Sequence, residues 1–393
     1  MNQHAAPVGG CEHYIHRTAS RLREAGIINT LLYEVDGAIS PDFLRAFDHS
    51  FPLVEPARQL NAIGGDLVYL HRVDNPELFG VLQELTLPVF RFYHDHQLFC
   101  LREHKYTAIG SQTCTRPTGL GCYACLGFLQ HSDRWPHVGL RSLGALHARQ
   151  AANRHWDGHL VASEYMADHL AEHGFHRQRT HVVPLFVEHS GDDAPEQKQC
   201  SCDSGSPRVQ GKGVVGFAGQ LVRGKGVDVL LEAMTRLPRQ THLRIAGSGR
   251  QQSELQLQSE RLGIADRVQF VGKLNSDALP AFLRSCDVVA MPSRAPETFG
   301  LAGLEASGLG IPVVATDVGG VRQWLRHEHN GLLCLPNRAD ALASALARLL
   351  ESDALRRRLG ENAAVVCREQ FTAERHVLQL LRLFRTCLRG ERL

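Results

Sequence analysis

Short apolar runs that suit only buried strands alternate, almost from end to end, with stretches that suit only helices. The runs Ile27 to Tyr33, Leu67 to Leu70, Val89 to Tyr93, His159 to Val161 and His181 to Val183 form one series. A second series comprises Val214 to Ala218, Leu243 to Ala246, Val268 to Val271, Val288 to Met291, Val313 to Ala315 and Leu332 to Cys334. Between them lie segments with one apolar face at helical spacing, such as Ile15, Ala19 and Leu22, or Val227, Leu230, Leu231 and Met234. Strands joined by helical crossovers imply parallel pairing with both sheet faces covered. At 393 residues the chain exceeds what one core supports. The expectation is therefore two α/β domains, each a Rossmann-like doubly wound parallel sheet, over residues 1–187 and 214–370. Residues 188–213, EHSGDDAPEQKQCSCDSGSPRVQGKG, are polar and without periodicity and read as a linker. In 371–393, Val377, Leu380, Leu381 and Phe384 fall at helical spacing and predict a terminal helix that packs back on the first domain.

Composition closes several functional classes. A net charge of +2, without clustered basic and aromatic residues, argues against nucleic acid as a partner. No apolar run reaches 18 residues, and MNQHAAPVGG has neither a basic leader nor an apolar core, so the expected location is cytoplasmic, with at most peripheral contact at the inner membrane face. The 22 histidines read mostly as solvated side chains. Eleven cysteines without an export signal suggest reduced thiols or a metal site rather than a disulfide framework. Cys100, Cys114, Cys122 and Cys125, ending in a C-x2-C pair, have the number and spacing of a structural tetrahedral zinc site; a disulfide and unligated thiols stay open as alternatives.

In an open parallel sheet ligands bind beyond the carboxyl ends of the strands, where helix N-termini offer N–H groups to anions. Two loops stand out on that ground. The first, Gly219-Gln220-Leu221-Val222-Arg223-Gly224-Lys225-Gly226, joins a strand to a helix and brings a lysine to the helix start, where a diphosphate would bind. The second follows Met291 and contains Glu297, Thr298, Phe299, Gly300, Leu301 and Glu305. Its two carboxylates lie eight positions apart across a loop-to-helix junction, one suited to sugar hydroxyls and the other to ribose, with a diphosphate on the N–H groups near Gly300 and Leu301.

The second loop, ETFGLAGLEASGLGIPVVATDVGG, resembles the Glu-x7-Glu signature of the family 4 retaining glycosyltransferases (glycosyl transferases group 1), and GFAGQLVRGKGVDVLLEAM, LRIAGSGR, RVQFVGKL and CDVVAMPS extend the likeness over the whole second domain. The resemblance implies a GT-B fold, two Rossmann-like domains facing a central cleft, and transfer of a hexose-type sugar from a UDP or GDP donor to a glycan or lipid-linked acceptor, by analogy in cell-envelope polysaccharide synthesis. It gives Lys225 the role of pyrophosphate clamp, Glu305 that of ribose ligand and Glu297 the contact with the sugar near its anomeric carbon. Gly219, Gly247 and the residues from Thr298 to Leu301 complete the donor side. The family has an arginine where Gln220 stands, so Arg223 is the candidate substitute. In the first domain Gly9-Gly10 resembles the acceptor-side glycine loop, and LPVFRFYHDH the strand that brings His94 to the cleft; His71 could line the same cleft. The strand that precedes the glycine loop in the family is poorly matched by MNQHAAPV, so either the start is mis-assigned or this strand is degraded.

No Asp-x-Asp motif is present, and helix N-termini with a lysine can neutralise a departing diphosphate, so no metal cofactor is expected in catalysis. Three competitors stand beside this reading. A non-catalytic nucleotide-sugar-binding or scaffold protein would share the fold. An NAD-dependent oxidoreductase is suggested by Gly247-Ser248-Gly249, but Gln252 occupies the place of the third glycine. A sugar-nucleotide epimerase of the same fold lacks the Glu-x7-Glu loop.

Overall fold

A computed structural model describes residues 1–34, 38–107, 110–131, 138–188 and 213–390. They form two compact units: Met1–Leu185 with Pro296–Phe299 and Ala373–Leu393, and Phe186–Ala295 with Gly300–Thr372. Most of the expected linker, with Cys200 and Cys202, lies outside the described residues.

The first unit contains strands β1 (Thr30–Glu34), β2 (His49–Leu53), β3 (Val68–Leu70), β4 (Val89–Tyr93), β5 (Leu129–His131), β6 (Val138–Leu140), β7 (Gly158–Val161) and β8 (Thr180–Val182). β1 pairs with β2, and β3-β4-β7-β8 form a second ladder, all parallel. The opening residues, expected to make a poor strand, join the two ladders. Asn2 N–H donates to Leu32 O (3.1 Å) and Glu34 N–H to Asn2 O (3.4 Å), while the Met1 amine donates to Tyr69 O (2.6 Å) and His71 N–H to Met1 O (3.0 Å). Two residues suffice because each side of the gap needs only one or two ladder bonds. Three strands had no signal in the sequence. β2 carries Pro52 and is mostly exposed, as an edge strand tolerates, and β5 and β6 are a three-residue antiparallel pair. The helix Gly10–Glu24 buries Tyr14, Ile15, Thr18, Ala19 and Leu22, and at its start Gly9 N–H donates to the buried Glu12 carboxylate (3.0 Å). The C-terminal helix Ala373–Leu388 belongs to this unit: Phe384 meets Tyr69 and Phe90 at ring separations of 5.5 and 5.0 Å, and Gln379 donates to Val182 O (2.6 Å).

The second unit is one six-stranded parallel sheet of β9 (Val214–Ala218), β10 (His242–Ala246), β11 (Val268–Gly272), β12 (Val288–Met291), β13 (Val313–Thr316) and β14 (Gly331–Cys334). The order β11-β10-β9-β12-β13-β14 reverses between β9 and β12, which creates a topological switch point. Its core is aliphatic, with Val215, Leu230, Leu231, Leu243, Ile245, Val288, Val314 and Leu332 buried together.

Candidate active site

At the switch point the loop after β9 ends in a turn of 3-10 helix, Arg223–Lys225, and Gly226 (φ +69°) opens the helix Val227–Met234. A Cβ on Gly226 would stand 1.9 Å from Pro292 O, so the loops after β9 and β12 meet backbone to backbone, which only glycine permits. Arg294 locks that contact. Its guanidinium, 3% exposed, donates to both Asp228 carboxylate oxygens (2.9 and 2.8 Å), to Arg223 O (2.9 Å) and to Asn337 Oδ1 (2.9 Å), and its backbone N–H donates to Gly224 O (2.9 Å). The sequence reading gave Arg294 no role; the signal was an arginine just past a buried strand, with an aspartate in the first turn of the neighbouring helix. The loop after β10 is laced in as well. A Cβ on Gly247 would lie 1.8 Å from Gly219 O, so the dinucleotide-like glycines serve loop packing.

Beyond β12, Gly300 caps the helix Leu301–Gly308, whose first N–H groups lie beyond the carboxyl end of the sheet, and half-buried Glu305 sits in the second turn. The second unit therefore brings Gly219, Gln220, Arg223, half-buried Lys225, Gly247, Gly300, Leu301 and Glu305 to the carboxyl ends of three adjoining strands, with Gln220 and Arg223 exposed.

Residues Pro296–Phe299 belong to the first unit. His96 Nε2–H donates to Pro296 O (3.0 Å), Ser163 Oγ to Thr298 O (2.7 Å), and Thr298 Oγ1 to His94 O (3.0 Å). Half-buried Glu297 thus stands between two gripped carbonyls beside the loop that carries His94, and Phe299 is buried. Ser163 and His96 were missed in the sequence because the carbonyls they hold are distant in the chain.

Burial, reinforced by Arg72 and Arg91, pushes the His94 imidazole down to about 3, so it is neutral at physiological pH. The ring stacks on Phe92 (4.6 Å), and its Nε2 lies 3.1 Å from His71 Nδ1. His71, expected to line the cleft, is buried. Gly9 and Gly10 open the helix Gly10–Glu24, and Gly10 is exposed, with nothing within 4 Å of a Cβ built on it.

The four cysteines of the expected zinc site, Cys100, Cys114, Cys122 and Cys125, are half-buried and form no disulfide, and they are not among the described residues whose donor atoms lie within 4.8 Å of one another. In the same segment Lys105 is 1% exposed and donates from Nζ to Arg116 O (2.5 Å). Among the described residues, His169, Glu172 and His173 bring metal-type donor atoms within 4.8 Å of one another. His173, however, has both nitrogens engaged: Nδ1–H donates to His169 O (2.7 Å) and Nε2 accepts from Thr118 N–H (3.1 Å). It closes a helix end rather than offering a lone pair.

Residues 204–366 match the family described as glycosyl transferases group 1. The D-inositol 3-phosphate glycosyltransferase of Jonesia denitrificans is 32% identical over 250 residues, 60% of this chain and 56% of the relative. An uncharacterized glycosyltransferase of Methanocaldococcus jannaschii is 36% identical over 149 residues, 37% of this chain and 38% of the relative. This chain thus spans between 38 and 56% of the length of these two curated relatives. Among solved structures, Anabaena HepE in complex with UDP and glucose superposes with a TM-score of 0.71 over 97% of both chains, at 21% identity. The sucrose-phosphate synthase of Thermosynechococcus elongatus gives 0.67 over 100% of this chain and 96% of that one, also at 21% identity. These likenesses are likenesses of fold, the two-domain Rossmann-like GT-B architecture.

Proposed function

We propose that the match of residues 204–366 to the glycosyl transferases group 1 model reflects membership of that family, and that this chain transfers a hexose-type sugar from a UDP- or GDP-linked donor to a glycan or lipid-linked acceptor. The carrying observation is the switch point of the second sheet, where Lys225, the helix start at Leu301 and Glu305 lie on the loop after β9 and the helix after β12. A departing diphosphate needs a fixed cation and preorganised N–H groups, and a ribose needs a carboxylate acceptor. HepE was solved with UDP and glucose, which supports the donor class.

The reaction retains anomeric configuration and uses no metal: the acceptor hydroxyl attacks on the face the diphosphate leaves, and a donor phosphate oxygen takes its proton. Glu297 and His94 hold the sugar. A neutral His94 suits a hydrogen-bonding role better than that of a charged acid. Gly9 and Gly10 adjoin the acceptor. No described helix is long and apolar enough to cross a membrane. The solvent face of the C-terminal helix aligns Arg375, Leu378, Arg382 and Arg385, a stripe suited to anionic headgroups, and cell-envelope synthesis at the cytoplasmic membrane face accords with it.

The test is a screen of UDP, GDP and ADP sugars for binding and donor hydrolysis. Turnover of one donor is expected, abolished in Glu297→Ala with the fold intact, and Lys225→Ala should weaken donor binding by ~10-fold or more. Nucleotide binding without any turnover would favour a non-catalytic scaffold, and no nucleotide binding would end the proposal.

A further inference from the structure

His71 and His94 each stand one residue past the end of a strand, β3 and β4, and those strands are neighbours in one parallel ladder. Their facing nitrogens, His71 Nδ1 and His94 Nε2, are 3.1 Å apart. Two imidazolium ions cannot face each other at that distance in a buried setting beside Arg72 and Arg91, and both rings are held neutral. A hydrogen bond between neutral imidazoles needs one N–H and one lone pair, so the tautomer of one ring dictates that of the other. The His71 ring is fixed in turn by Tyr69 (ring separation 4.3 Å), and the His94 ring by Phe92. Nδ1 of His94 has no partner among the described residues.

We propose that His71 is a positioning residue: it fixes the ring orientation and tautomer of His94, so that Nδ1 is the single ring nitrogen offered to a hydroxyl of the transferred sugar. The inference rests on the reading that His94 contacts the sugar. It explains why a second histidine, rather than an aliphatic residue, occupies this buried strand end.

The test compares His71→Leu, which deletes the bond, with His71→Asn, whose amide can restore it. In His71→Leu, kcat for donor turnover is expected to fall ~10-fold with the donor KM within about twofold of wild type, and His71→Asn should recover most of the loss. Long-range proton–nitrogen spectra of the unligated protein should show one neutral tautomer for His94 in wild type and His71→Asn, and a mixture in His71→Leu. Three results would overturn the proposal: an unchanged His94 tautomer in His71→Leu, an unchanged kcat, or equal impairment of both variants, which would mean packing alone. Should His71→Leu not fold, scalar coupling across the His71–His94 bond in the wild type decides, and its absence overturns the pairing. If the wild type turns over no donor, the transferase reading fails while the spectra still report on the pair.

Discussion

The two units bury different chemistry. The interior of the second packs aliphatic side chains against one sheet, and its buried charged side chains among the described residues are two arginines, Arg294 at the switch point and Arg267, whereas the first buries six histidines, His71, His96, His159, His169, His173 and His376, and the second buries none among its described residues. These imidazoles are tied to neighbouring groups: His376 donates from Nδ1 to Pro184 O (2.7 Å) and accepts at Nε2 from the Tyr14 hydroxyl (3.0 Å), while His96 donates to Pro296 O. A dry core holds a nucleotide platform rigid. A core of neutral imidazoles builds hydrogen-bonding positions into the fold itself, at the cost of sensitivity to protons.

Acidification exploits that difference and carries the largest expected effect. Burial lowers His96 and His376 to about 4 in the folded state, below the ordinary histidine value of 6.5. The unfolded chain therefore takes up protons first. The stabilisation is present above pH 6.5, is lost as the pH falls from 6.5 towards 4, and does not decline further below that. Each such histidine removes on the order of 3 kcal/mol across the window, and together they approach the whole stability of a typical domain. Around His96 the charged and titratable neighbours include Lys105, Glu297, His173, His169 and Tyr165, of which Lys105 and His173 add to the effect and Glu297 opposes it. Hydrogen exchange read by mass spectrometry should show the first unit losing protection between pH 6.5 and 4 while β9 to β13 stay protected. Simultaneous loss in both units would break the contrast.

The reverse asymmetry is expected of Arg294. Its guanidinium is satisfied by Asp228, Asn337 and a carbonyl within the second unit. Arg294→Met leaves the Asp228 carboxylate, 31% exposed, without its partner and should destabilise the second unit by about 3 kcal/mol, less than a fully buried pair would cost. Chemical denaturation should place the loss in the second unit's transition, and adding Asp228→Leu should restore part of it, because the stranded charge is then gone. An unchanged second transition would mean that the glycine contacts alone hold the loops together.

The same contrast explains what could be read in advance. Strands β9 to β14 are four- or five-residue runs rich in Val, Ile and Leu, and every one was found from the sequence to within two residues. The place of Lys225 and Glu305 beyond strand ends was legible because their loops follow such strands. In the first unit the ladder is completed by Met1 and Asn2 and edged by the mostly exposed β2, and neither segment carries an apolar pattern. A histidine surplus reads as polar surface when counted, yet an imidazole that donates to one carbonyl is a core residue. Whether a histidine is so paired depends on contacts between distant segments, such as His96 with Pro296 or Tyr14 with His376, which no local spacing records.

The smallest effect is a gain, and it sharpens the role of the second unit alone. Gln220 stands exposed in the loop after β9, where the resembling family carries an arginine. A guanidinium there would add a fixed charge and two aligned donors for a diphosphate beside Lys225, without disturbing the buried Arg294 lattice. Gln220→Arg should therefore tighten donor binding by about 1 kcal/mol, roughly five-fold, with the acid response of the first unit unaltered. Calorimetry with the preferred nucleoside diphosphate measures it. If affinity does not rise, Arg223, exposed three residues along, already supplies that charge, and Arg223→Gln in the Gln220→Arg background should then cost less than in the wild type, because the two cations would be interchangeable at one phosphate.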